Sequence, residues 1–127
     1  MNLKCTPFAT SIQVPIPLKY VECTDPDSPV PASIRKLTLS CGGCTSTLAD
    51  GWWVDHDGTE VHDDVSLYTW HVKRTGTQAA ILLAQELVVA LLEAGENCVL
   101  MEEFDRNGHE VFMFSRNTSM PTITMRD

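Results

Sequence analysis

The chain has little of what usually announces a function. Nine Lys and Arg stand against 17 Asp and Glu, a formal net charge of −8. Such a field repels phosphate backbones, so no direct contact with DNA or RNA is expected. Long apolar runs are missing too. The richest stretch, Ala79 to Leu92, is short for a bilayer span and is interrupted by Gln85 and Glu86. The opening "MNLKCTPFATSIQVPIPLKY" lacks the basic start and unbroken apolar segment of an export signal. Five cysteines, an odd number, do not suggest a disulfide framework, and the thiols are expected to stay reduced in a cytoplasm. Gly-x-Ser-x-Gly and phosphate-cradling glycine loops are both absent.

What remains is a chain of 127 residues, 43% hydrophobic and 20% charged, the profile of one globular domain that can bury a core without a metal or disulfide. Residues 1–33 read as an irregular arm. "SIQVPIPLKYVE" alternates, but Pro15 and Pro17 remove ladder donors, which suits an edge strand or a surface-hugging segment. "CTDPDSPVPAS" reads as a loop. A compact domain is expected over 34–116, followed by a tail over 117–127 in which Thr122–Met125 is β-prone.

Within that domain, "IRKLTLSC" sets Arg35, Leu37, Leu39 and Cys41 on one face, the alternation of a strand. Asp57-Gly58 and Asn107-Gly108 mark two hairpins. The run Val65–Val72 places Val65 and Leu67 on one face and Tyr68, Trp70 and Val72 on the other, as in a strand covered on both sides. "TQAAILLAQELVVALLE" is the one clear helix, and its polar stripe is so narrow that a second copy or the arm should cover it. The order strand, hairpin, helix, hairpin predicts an α+β fold: a mostly antiparallel sheet of about five strands with one long apolar helix on a face, in two layers.

Cys41-Gly42-Gly43-Cys44 has the spacing of a redox pair or half a zinc site. No helix follows to stabilise a thiolate, and no second ligand pair completes a zinc site. The informative residues are therefore Gly42 and Gly43, in a turn with two incidental small thiols. The stretch Asp50–Asp64, "DGWWVDHDGTEVHDD", has six acids and no base. As a calcium loop it fails, because Trp53 would occupy the first carboxylate position. Alternation along a hairpin also keeps its carboxylates from converging. No metal site and no cofactor are expected. Trp52 and Trp53 must point to opposite faces, and tryptophan is enriched at interface hot spots. Trp52, Trp53, Asp55, Asp57, Glu60, Asp63 and Asp64 thus form the expected binding surface, and Gly42, Gly43, Gly58 and Gly108 the turns. Among His56, His62, His71 and His109, His71 reads as a satisfied core or interface residue.

From "LTLSCGGCTSTLADGWW" through the helix to "ENCVLMEE" the chain resembles small uncharacterised proteins of phages and bacteria. In those, a Gly-Gly-x-Thr turn (here Gly42 to Thr45) leads into a Gly-Trp strand, a hairpin, a valine-rich strand and one helix. The resemblance covers roughly residues 36–104 and implies a small antiparallel α+β domain, often phage-encoded. Cys41 and Cys44 are not part of that pattern. The expectation is then a non-enzymatic, acidic, homo-oligomeric binding protein of a phage or prophage in the host cytoplasm. It would act by sequestering a ligand or by meeting a host protein with a basic surface, counter-defence being one version of that role, with no membrane contact. The alternative is a small metal-dependent hydrolase using His and Asp of the acidic hairpin.

Overall fold

Apolar residues at every second position from Ile12 to Ile16 and from Tyr68 to Val72 give the chain two strands that bury one face together. In a computed structural model, which describes residues 1–55 and 57–116, these two lie side by side at the middle of a sheet. The elements in chain order are β1 (Phe8–Pro17), α1 (Leu18–Val21), α2 (Pro29–Cys41), β2 (Thr45–Val54), β3 (Glu60–Lys73), a short 3-10 turn (Arg74–Gly76), α3 (Thr77–Glu93), β4 (Cys98–Asp105) and β5 (Gly108–Ser115). The five strands are ordered β2-β3-β1-β4-β5 and every pairing is antiparallel. His56 and the tail, including the β-prone Thr122–Met125, lie outside the described residues.

The α+β, two-layer expectation holds, but two segments are corrected. The segment expected as an irregular arm supplies the central strand, β1, whose Ile12, Val14 and Ile16 are fully buried. The segment 34–41, expected as a strand, is the last two turns of α2. Its buried positions are Val30, Leu37 and Cys41, with Ile34 packed against the core, a helical spacing of four, three and four. The apparent alternation was misleading because Leu39 is 69% exposed. Pro29 opens this helix at a position where a missing N–H costs nothing. Gly42, at φ +85°, ends it, and the Gly43 N–H bonds to the Thr38 carbonyl at 3.0 Å. The glycines therefore turn a helix, not a strand, into β2.

Helix α3 lies where expected and buries Ala80, Ala84, Leu87, Val88, Ala90 and Leu91 in the core. With its lead-in turn it reaches 20 residues at mean hydropathy 1.5, long and apolar enough by composition to cross a bilayer. Leu82 and Val89 stay exposed on its outer stripe. The two helices cover one sheet face, and Trp70 joins the layers: its ring is fully buried and its Nε1 donates to the Thr38 hydroxyl of α2 at 3.0 Å. That hydroxyl in turn donates to the Ile34 carbonyl at 2.7 Å. His71, on the other face, is exposed and bonds through Nδ1 to the Ser11 hydroxyl at 2.9 Å, so it is not a core residue.

Cys41 is buried and Cys44 half-buried beside the Thr38 hydroxyl, 3.6 Å from the Cys44 sulfur. Burial first, and then Cys44, pushes the Cys41 thiol above its ordinary range. Both cysteines thus behave as small core residues. Replacing both with serine is expected to keep the far-UV circular dichroism. The urea midpoint should drop by the equivalent of about 1–2 kcal/mol, the cost of one poorly paired buried hydroxyl.

Candidate functional site

Two departures from regular pairing open a cleft at one end of the sheet. β1 pairs with β4 only from Thr10 to Gln13, opposite Asp105 to Glu102. Pro15 and Pro17 have no N–H with which to extend that ladder, so the first residues of β4 carry no β1 partner. On the other side, Val65 is the first β3 residue to meet β1, opposite Pro17. The hairpin beyond it, Asp50–Val54 with Glu60–Asp64, overhangs the end of β1. The overhang reaches the connection between α3 and β4, where Asn97 Nδ2 donates to Asp55 Oδ2 at 3.4 Å.

Between the overhang and the start of β4 lies a cavity of roughly 180 Å³. Its walls include Pro15 and Pro17 from β1, Trp52 and Trp53 from β2, Glu96, and Cys98 and Leu100 from β4. The tryptophans point to opposite faces, as expected, and still share this one cavity. Gly51 is required here by close approach: a Cβ at that position would run into the Trp53 ring. The far edge of the Trp53 indole therefore lies back over the Gly51 position of its own strand.

The cavity has a negative rim. Glu96 Oε2 accepts a 2.6 Å bond from the Tyr20 hydroxyl and lies 3.2 Å from Lys19 Nζ. The Glu96 side chain is only 15% exposed, whereas Lys19 is 67% exposed and well screened by water. Burial, followed by the bond to Glu96, pushes the Tyr20 phenol far above its ordinary value, with Asp63 adding to the shift. Tyr20 is thus held as a proton donor that fixes the carboxylate. Burial, and then Asp55 and Glu96, push the Cys98 thiol up, so Cys98 is a neutral wall and not a thiolate nucleophile.

Of the expected binding residues, Trp52 and Trp53 line the cavity, while Asp55 and Asp63 lie near it, beside Asn97 and Tyr20, without lining it. Asp57 instead braces its own loop by accepting the Thr59 N–H at 2.9 Å, and Glu60 and Asp64 are exposed and do not line the cavity. Gly58 and Gly108 sit at the two hairpin ends, each one position later than a two-residue turn centred on them would require. Tyr20, Glu96 and Cys98 were missed. They come from the supposed arm, from the turn after the helix and from the first residue of β4, and only the two prolines hinted at a gap there. Among the described residues no three of His, Cys, Asp and Glu are placed to hold a metal ion. The alternative of a metal-dependent hydrolase thus finds no ligand set among the described residues of the hairpin, His56 lying outside them.

No protein-family model matches the chain, and no curated protein matches it in sequence. Its fold is similar to that of solved phage proteins. One is a phage SAM lyase in complex with S-methyl-5'-thioadenosine, at 13% identity and TM-score 0.58, over 94% of this chain and 98% of that one. Another is a phage SAM lyase in the apo state, at 10% identity and TM-score 0.58, over 94% of this chain and 99% of that one. This overturns the expectation of a non-enzymatic binding protein. That expectation rested on the absence of a catalytic motif, and the same fold carries a lyase.

Proposed function

We propose that the chain is a phage-encoded lyase acting on S-adenosylmethionine or a closely related sulfonium nucleoside. The observation that carries this reading is the cavity of two tryptophans and a clamped Glu96, in a fold shared with a lyase. A sulfonium is a fixed cation, and cations are held by aromatic faces and carboxylates. The overall charge of −8 attracts it as well.

The chemistry needs little from the protein. The substrate's own carboxylate oxygen closes on Cγ, the Cγ–S bond breaks, and the electron pair goes to sulfur. Neutral methylthioadenosine leaves, and the four-carbon fragment departs as a protonated aminolactone. Atoms and charge balance without water, an added base or a redox partner. A carboxylate and a sulfonium neutralise each other in the transition state, so an apolar, water-poor wall favours it over the ground state. Pro15, Pro17 and Leu100 supply that wall, Glu96 orients the cation, and Trp52 and Trp53 offer the flat surface for the nucleoside. The enclosed volume suits the reacting end of the substrate, with the remainder lying out against Trp52, which is 67% exposed. The lyase would self-associate through the outer stripe of α3, a proposal supported by exposed Leu82 and Val89.

The test is direct. Purified protein incubated with S-adenosylmethionine is expected to release methylthioadenosine, read by chromatography, in an amount equal to the substrate lost. Release of adenosine or of S-adenosylhomocysteine instead, or no consumption at all, would sink the proposal.

A further inference from the structure

At the opposite end of β1 lies a second cavity, open and of roughly 610 Å³, within the size range of small-molecule sites. It is lined by Phe8 and Ser11 of β1, Arg74 before α3, and Phe104, Asp105 and Arg106 at the end of β4. Ser11 and Pro15 are four residues apart, which separates the two cavities by about 14 Å of strand.

The charge here is the reverse of the first site. Three of the nine basic residues, Lys73, Arg74 and Arg106, gather at this end of an otherwise acidic protein. Neither arginine has an ion-pair partner among the described residues, although both line the cavity. Planar guanidinium groups with free donors match the oxygens of a phosphate. Two aromatic rings stand at the same wall: Phe8 is 51% exposed and Phe104 36% exposed. Phe104 is already stacked on His109, with ring centroids 4.1 Å apart and planes within 8°, so its orientation is fixed. Phe8 packs against His71 at 6.1 Å, and His71 is anchored to Ser11. Asp105 would be out of place in a plain anion site. One of its oxygens accepts the Asn107 N–H at 2.7 Å, and the other is left to accept from a ligand hydroxyl.

We infer that this cavity binds a nucleoside phosphate, with the phosphate on Arg74 and Arg106, the base against Phe104 or Phe8, and a ribose hydroxyl on Asp105. A bare anion would leave the rings and Asp105 without a role. A sulfonium nucleoside would leave two arginines without a phosphate. The inference does not rest on the lyase reading, because binding is read without turnover.

The experiment is a calorimetric titration of the full chain with adenosine 5'-monophosphate at low salt. One molecule per chain is expected, and adenosine, lacking the phosphate, should bind at least about tenfold more weakly. The double variant Arg74→Ala, Arg106→Ala should lose the same factor or more while keeping its circular dichroism, and Trp52→Ala should bind as the parent does. No heat up to about 1 mM ligand would overturn the inference. So would equal binding of adenosine and its monophosphate, or an unaltered affinity in the folded arginine variant. Competition by methylthioadenosine would overturn it as well, by assigning this cavity to the lyase substrate.

Discussion

Trp70→Ala will leave the chain largely unfolded in the absence of denaturant, or lower its urea midpoint more than any other single change. Trp70 is the largest side chain with no exposed surface. It stacks on Tyr68 with centroids 5.5 Å apart and is the one β3 ring bonded to α2. Truncating a buried aromatic costs about 3–5 kcal/mol, against a total of about 5–15 kcal/mol for a domain of this kind. Trp70→Phe separates the parts of that loss. It keeps most of the ring volume and removes only the bond to Thr38, so a drop of about 1–2 kcal/mol is expected. If Trp70→Ala unfolds at the same urea concentration as the parent, the layers are not joined through this residue.

That joint also shows where the sequence was legible and where it was not. Strand β3 could be read because Tyr68, Trp70 and Val72 repeat at a period of two, and α3 because an apolar-rich stretch of 17 residues, broken only by a narrow polar stripe, leaves little else possible. The two hairpins followed from Asp57-Gly58 and Asn107-Gly108, residues that tolerate the backbone of a tight turn. Helix α2 was misread because its helical period begins at Val30, inside a proline-rich stretch. Within 34–41 alone, Leu37, Leu39 and Cys41 alternate as in a strand. β1 was demoted for its prolines, and this was correct locally: along Pro15 and Pro17 the strand has lost β4 and is an edge on that side. Five strands were expected and five are present, but the strand assigned to 34–41 is replaced by 8–17. For the site, the tryptophans could be named from sequence because two adjacent indoles cannot both be buried in one face. Glu96 and Tyr20 could not, since 76 residues separate them and no local pattern pairs a residue of α1 with one beyond the end of α3.

Glu96→Gln is expected to weaken S-adenosylmethionine binding by about a hundredfold while leaving the melting temperature within a few degrees of the parent. The substitution keeps the shape, and the amide oxygen still accepts from the Tyr20 hydroxyl, so only the charge is lost. A unit charge about 6 Å from a sulfonium at an effective dielectric constant near 20 contributes about 3 kcal/mol, a factor of roughly a hundred. Lys19 offsets part of this, but its exposure leaves it well screened. Methylthioadenosine carries no charge, so its affinity should change by less than about threefold. On the proposed lyase reading, the same difference would let the product go: the cation assigned to Glu96 disappears when the Cγ–S bond breaks. Equal losses for the sulfonium and the thioether in Glu96→Gln would show that the carboxylate shapes the wall and does not read charge. An unchanged affinity for S-adenosylmethionine would remove Glu96 from the site altogether.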